Sequence, residues 1–281
     1  MAVPTEARGW SRYVAIGDSL TEGLADPDPR GPDRWIGWAD RLAVKLAAAA
    51  AADGRSFGYA NLAVRGRLMA DVAGRQVDAA LALKPDLVAV WGGGNDCLRP
   101  NLVPAQVAAR LETGVSRLRA AGADVLLLTA YDASDSAVLR WTAGKSRLLT
   151  DELWRIADHY GCYVADVWNF PALHDLRLWA DDLIHLRADG HARLAERAAA
   201  ALGLPAAPGY EAPLPPAPPR GPLRWTRDTI RWSQIFLFPW VRRRIAGRST
   251  GDGRVGKRLT LEPVDDVVAA LAAADPGEAN G

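Results

Sequence analysis

Cysteine is nearly absent from this chain, which has only Cys97 and Cys162. Two thiols make neither a disulfide framework nor a cysteine metal cluster, and they read as buried thiols in a reducing compartment. Long apolar runs are missing too. No stretch of about 18 uncharged apolar residues occurs, so no membrane-spanning helix is expected. Met1 to Arg12 lacks the apolar centre of a secretory leader, and the expected location is the cytoplasm. Net charge is almost absent, at +1 for 34 Lys and Arg against 33 Asp and Glu. The near-zero sum hides a local asymmetry near the C-terminus, and no nucleic-acid partner is expected. No internal repeat is visible. His, Cys, Asp and Glu fall at no metal-ligand spacing, so neither a metal nor another cofactor is expected.

The chain does carry ordinary globular material, with 49% hydrophobic and 24% charged residues in 281. That length supports a large core without staples. Up to about Leu204, short apolar runs alternate with longer helical patterns. Tyr13–Ile16, Phe57–Val64, Leu87–Trp91, Val125–Ala130 and Tyr163–Val167 read as five strands. Between and after them, helices are expected from a cap at Asp33 to Ala52, and over Leu68–Leu83, Pro104–Ala121, Trp141–Tyr160 and Gly190–Leu202. Continuous apolar strands alternating with helices predict an α/β fold, with a mostly parallel sheet covered on both faces.

After Leu204 the pattern changes. Pro205 to Pro222 holds eight prolines and reads as an extended linker, residues 205–222. The remainder, 223–281, is an extension with its own charge. Arg220 to Arg258 has 11 Lys and Arg against 2 acidic residues, whereas Leu259 to Gly281 has 5 acidic residues and no Lys or Arg. Trp225, Trp232, Phe236 and Trp240 recur at near-helical spacing, although Pro239 would kink or end a helix. The segment Trp225–Arg244 has three readings: a brace packed on the main domain, a peripheral contact with an anionic membrane surface, or a basic nucleic-acid contact; aromatic stripes usually mark packing, which favours the brace. Gly251-Asp252-Gly253 reads as a turn, and Ala273 to Gly281 as a disordered end.

Four short blocks carry the chemistry. Gly17-Asp18-Ser19-Leu20-Thr21 directly follows the first strand, where a tight turn can expose the serine hydroxyl above a sheet. Asn61-Leu62-Ala63-Val64-Arg65-Gly66 follows the second apolar run, and Gly93-Gly94-Asn95-Asp96 the third. Asp182-Leu183-Ile184-His185 precedes the last helix. A serine hydroxyl is a weak nucleophile until a base takes its proton, and His185 is the candidate base. Asp182, three residues earlier, can hold the imidazole in the required tautomer. Acyl transfer also needs donors for a developing oxyanion, and Ser19 N–H, Gly66 N–H and the Asn95 amide can supply them. Asp18 and Asp96 read as turn and network residues, and His191 as a structural residue of the last helix.

These blocks, in this order at strand ends, resemble the SGNH/GDSL hydrolases. The wording Gly17-Asp18-Ser19-Leu20-Thr21-Glu22-Gly23 and Asp182-Leu183-Ile184-His185-Leu186-Arg187-Ala188-Asp189-Gly190-His191 is similar to actinobacterial-type members. The resemblance covers residues 11–204. It implies a three-layer α/β/α, flavodoxin-like sandwich with a central five-stranded sheet. It also implies ester cleavage through an acyl-enzyme, with Ser19, His185 and Asp182 as triad and Ser19, Gly66 and Asn95 as oxyanion hole. The substrate class would be a small-molecule or lipid ester. Acyl transfer to an acceptor other than water would use the same residues. A binding role centred on the C-terminal extension is the reading from a different class. If His185 is the base, activity rises across roughly pH 6–7. Loops 24–34, 98–101 and 132–143 are expected to line the pocket, and Trp35 and Trp38 to pack the first long helix against the sheet.

Overall fold

The computed structural model describes residues 8–136, 139–216, 235 and 249–274. Its centre is a six-stranded sheet in the order β5-β4-β3-β1-β2-β6. The strands are β1 (Arg12–Gly17), β2 (Gly58–Asn61), β3 (Leu87–Trp91), β4 (Asp124–Leu128), β5 (Tyr163–Ala165) and β6 (Arg258–Glu262). The first five pair in parallel, as their continuous apolar sequences require. Successive side chains alternate between faces. Tyr13 and Ala15 belong to one apolar cluster with Trp38, Leu42 and Leu194, whereas Val14 and Ile16 belong to the other with Val72, Leu111 and Ile156. Helices α2 (Trp38–Ala52) and α8 (Ala188–Ala201) therefore cover the first face. Helices α6 (Pro104–Ala120) and α7 (Ala143–Tyr160) cover the second, giving three layers.

The expected count of five strands is corrected to six. The added strand comes from the C-terminal extension and pairs antiparallel with β2, with Tyr59 opposite Glu262 and Asn61 opposite Arg258. A final helix, α9 (Asp265–Ala274), sends Val267 into the core on the α2 face. It runs through Ala273 and Ala274, which were expected to be disordered. Residues 205–216 also lie on the main domain: Arg193 donates to the carbonyls of Tyr210 and Ala212, and Arg177 to that of Pro215. The segment Trp225–Arg244, for which a membrane or brace role was expected, lies outside the described residues apart from Ile235.

Two helix boundaries also differ from the sequence reading. Asp33 does not cap a helix; it sits in a left-handed turn at φ 55°, and α2 starts at Trp38 after Gly37. The loop between is drawn back on itself by an antiparallel bridge from Pro27 to Trp35. The helical stretch after Leu68 forms as α3 (Met69–Asp71) and α4 (Val77–Ala82), joined by a π-turn over Val72–Gln76. Among the described residues, no helix is long and apolar enough to cross a membrane.

Candidate active site

The chain goes from β1 to β2 on one side of the sheet, then crosses to β3 on the other. The carboxyl ends of β1 and β3 therefore flank a crevice, the usual ligand position in open α/β sheets. Gly17 ends β1 in a conformation closed to other residues. At φ 157° a Cβ there would lie 2.2 Å from the Trp91 carbonyl oxygen and 2.5 Å from Thr21 Oγ1. Gln76, in the π-turn, clamps this glycine, accepting from Gly17 N at 2.8 Å and donating to Gly17 O at 2.9 Å. π-Turns are rare and gather at functional sites, and this one sets the exit of the strand that carries Ser19.

Ser19 opens the single turn α1 (Ser19–Glu22), capped by Asp18, whose Oδ1 accepts from Leu20 N at 3.2 Å. The Ser19 Oγ lies 2.8 Å from His185 Nε2, and His185 Nδ1 lies 2.5 Å from Asp182 Oδ2. The other carboxylate oxygen of Asp182 accepts from Ile184 N at 2.9 Å and His185 N at 3.0 Å. One carboxylate thus shapes the turn and orients the imidazole, with Leu183 left-handed at φ 56° between them. Burial raises the Asp182 pKa, but the hydrogen bond and charge of His185 and the two backbone donors outweigh it and hold the group below its ordinary value.

Asn95, at the start of α5 (Gly94–Cys97), donates to Asp18 Oδ2 at 3.2 Å and to Arg67 O at 3.1 Å. Its amide therefore stands between the Asp18–Ser19 turn and the loop of Gly66. Gly66 is left-handed at φ 75°. Among the described residues, neither Ser19 N–H nor Gly66 N–H has an acceptor. Ser19, His185 and Asp182 are thus hydrogen-bonded in series, and Asn95 ties the Asp18–Ser19 turn to the loop next to Gly66. Asp18, Asn95 and Ser19 also line one cavity, of about 90 Å³. The rest of its lining is mainly apolar, including Leu20, Trp91, Tyr131, Trp179 and Ile184. Of the loops expected to line it, Leu98 and the 132–143 segment do so, but 24–34 does not. Trp38 is fully buried, with its ring edge-on to Trp91 at 6.1 Å.

Buried without a full ion pair, Asp18 has its pKa raised to about 6, chiefly by desolvation. His191 is buried and lowered to about 3, mainly by desolvation. It accepts from Trp38 N at 3.2 Å, and its Nε2 lies 3.4 Å from the Leu24 carbonyl, so it ties α8 to the loop after α1.

Sequence reasoning missed a supporting frame. Glu22 accepts from the Arg65 backbone N–H at 2.7 Å and from its guanidinium at 2.5 Å, binding the Gly66 loop to α1. Lys257, just before β6, donates to Glu22 O at 2.8 Å, Trp35 O at 2.9 Å, Ile36 O at 3.2 Å and Asp40 Oδ2 at 2.5 Å. Ser249 packs on Gly66 so closely that a Cβ there would be 2.3 Å from its Oγ. Glu22 stands inside a block already singled out, and an acid one turn after Ser19 was a usable signal. Lys257 offered none.

The GDSL-like Lipase/Acylhydrolase family model matches residues 15–193, well over half the chain. The chain belongs to this family. Within it, Esterase TesA of Pseudomonas aeruginosa is 32% identical over 124 residues, which are 44% of this chain and 56% of that esterase. The match thus spans little more than half of that relative's length. Among solved structures, LAE5, an alpha/beta hydrolase enzyme from the metagenome of Lake Arreo, Spain, superposes with a TM-score of 0.57. It is 25% identical, covering 70% of this chain and 96% of its own. A variant of Axe2, an acetyl xylan esterase from Geobacillus stearothermophilus, superposes with a TM-score of 0.55 at 20% identity, over 72% of this chain and 98% of its own. At that identity the likeness speaks for the fold alone.

Proposed function

We propose that this GDSL-family hydrolase cleaves carboxylic esters of short acyl groups through a serine acyl-enzyme. The observation that carries the reading is the unbroken relay of Ser19 Oγ, His185 and Asp182, at 2.8 Å and 2.5 Å. His185 Nε2 takes the Ser19 proton as Oγ attacks the ester carbonyl. Asp182 stabilises the imidazolium that forms. The carbonyl oxygen becomes an oxyanion, received by Ser19 N–H, Gly66 N–H and the Asn95 amide. Asn95 gives up its bond to Arg67 O or Asp18 in doing so. The imidazolium then protonates the departing alcohol. Water, deprotonated by the same His185, releases the acid and restores Ser19.

The acyl preference follows from the cavity. At about 90 Å³ it is small and mainly apolar, well below the ~300–1,000 Å³ of sites that enclose drug-sized ligands. The 32% identical Esterase TesA supports ester chemistry. The test is hydrolysis of p-nitrophenyl esters from acetate to laurate by wild type and Ser19→Ala. Turnover that falls beyond short acyl groups and disappears in Ser19→Ala is expected. Equal turnover in the two proteins would refute Ser19 as nucleophile, and a preference for laurate would refute the small acyl site.

A further inference from the structure

A second cavity lies beyond α5 from Ser19 and plays no part in the reaction above. It has a volume of about 300 Å³, and its polar lining is Asp96, Arg99, Asn101, Gln106 and Arg110. Most arginines of the described residues are committed: Arg41 to Asp26, Arg65 to Glu22, Arg119 to Asp124 and Arg155 to Glu112, among others. Arg99 and Arg110 form no salt bridge among the described residues. Both line the cavity, Arg99 half-buried and Arg110 exposed, so an anion entering from solvent meets two guanidinium groups that no carboxylate has already paired.

The charge around this cavity is favourable to an anion. Asp96 is the one carboxylate in its lining, and its Oδ2 already accepts from Met69 N at 2.9 Å. Two guanidinium groups against one carboxylate leave the cavity positive. Burial also raises the Asp96 pKa, against the lowering by Met69 N–H, Arg99 and Arg110, and the net shift is upward. Asn101 and Gln106 add neutral amide donors. Two planar forks with two amides suit a tetrahedral oxyanion with several acceptor oxygens better than a carboxylate with two.

We infer that the cavity formed by Arg99, Asn101, Gln106 and Arg110 is a binding site for a phosphate or phosphomonoester group. It stands back to back with the ester site, because Asn95 faces one cavity and Asp96 the other across the single turn of α5. A phosphate held there neutralises the Arg99 guanidinium and fixes the turn that carries Asn95. The inference does not rest on the esterase reading, since binding is measured directly.

The experiment is isothermal titration of the full chain with inorganic phosphate at constant ionic strength, with chloride as the control. Wild type is compared with Arg99→Gln and Arg110→Gln. Arg110 is exposed on α6, so its variant is expected to fold even if Arg99→Gln does not. Saturable binding of phosphate but not chloride, weakened about tenfold or more in a folded variant, is expected for loss of one charged hydrogen-bonding fork. A soluble short-chain phosphatidic acid forms the second arm. If it displaces phosphate, the site takes a phosphomonoester headgroup; if it does not, the site takes free phosphate. Absence of binding to folded wild type, or equal binding by wild type and Arg110→Gln, would overturn the assignment.

Discussion

Replacing Lys257 by Met measures how far the C-terminal segment belongs to the working domain. The ammonium donates to three carbonyl oxygens and to Asp40, and these acceptors come from the end of α1, the loop before α2 and α2 itself. Asp40 has 7% of its side chain exposed and Lys257 21%. Removing one partner of a buried ion pair costs about 3–5 kcal/mol because the other is left uncompensated. The partial exposure of Lys257 admits some screening and places the expectation at the lower end, about 3 kcal/mol. For a domain of this size that is a fall in Tm of roughly 6–12 °C. The pH dependence supplies a second readout. Burial raises the Asp40 pKa, and Lys257 is the largest opposing influence. Without the lysine the carboxyl is raised further. A carboxyl raised in the folded state favours folding at low pH and loses that contribution as pH rises through its folded pKa. The defect of Lys257→Met is therefore larger at pH 8 than at pH 5, and Asp40→Asn in the same chain should recover part of it. Thermal melts and urea unfolding of the four proteins of this cycle decide the matter. Wild-type stability of Lys257→Met at pH 8 would refute the reasoning and make the clamp a surface ornament.

Two other perturbations probe the nucleophile turn. Asp18 titrates at about 6 against an ordinary 3.8, so wild type should lose up to about 3 kcal/mol between pH 4 and 6, relative to Asp18→Asn. Urea unfolding at intervals from pH 4 to 8 checks this, and parallel curves for the two proteins would refute it. Gly66→Ala places a Cβ 2.3 Å from Ser249 Oγ at φ 75°, with about 1–2 kcal/mol of backbone cost before the clash. Under the proposed mechanism it should lower kcat more than it raises KM, because it moves the Gly66 N–H proposed to receive the oxyanion. Ser249→Gly should restore part of the loss, and a wild-type kcat in Gly66→Ala would remove Gly66 from the oxyanion hole.

Much of the frame was legible because its signals are local. The five parallel strands are continuous apolar runs, and each chemical block directly follows one of them or precedes the last helix. Glycine at 17 and 66 announced backbone that other residues cannot adopt. Boundaries were less legible. Asp33 has the chemistry of a helix cap, yet the Pro27–Trp35 bridge and Gly37 delay α2 to Trp38. The π-turn that aims Gln76 at Gly17 has no sequence signature, since its residues suit an ordinary helix.

The amino-acid sequence by itself determined the blocks that mark the family and the layer plan: a serine at a strand end, a histidine with an acid three residues earlier, and strands too apolar to face water on either side. Tertiary structure alone decided which distant side chains meet. Arg258–Glu262 became the sixth strand because the edge of β2 offered unpaired backbone donors and acceptors, and edge pairing leaves little trace in the pairing segment's own sequence. Lys257 became a clamp because that pairing delivers its amine to three carbonyls and a buried carboxylate. The small cavity beside Ser19 and the arginine-lined cavity behind α5 likewise arise from packing between elements far apart in the chain. Hydrogen bonding and burial reward such contacts only after the chain has brought them together, so no local pattern announces them.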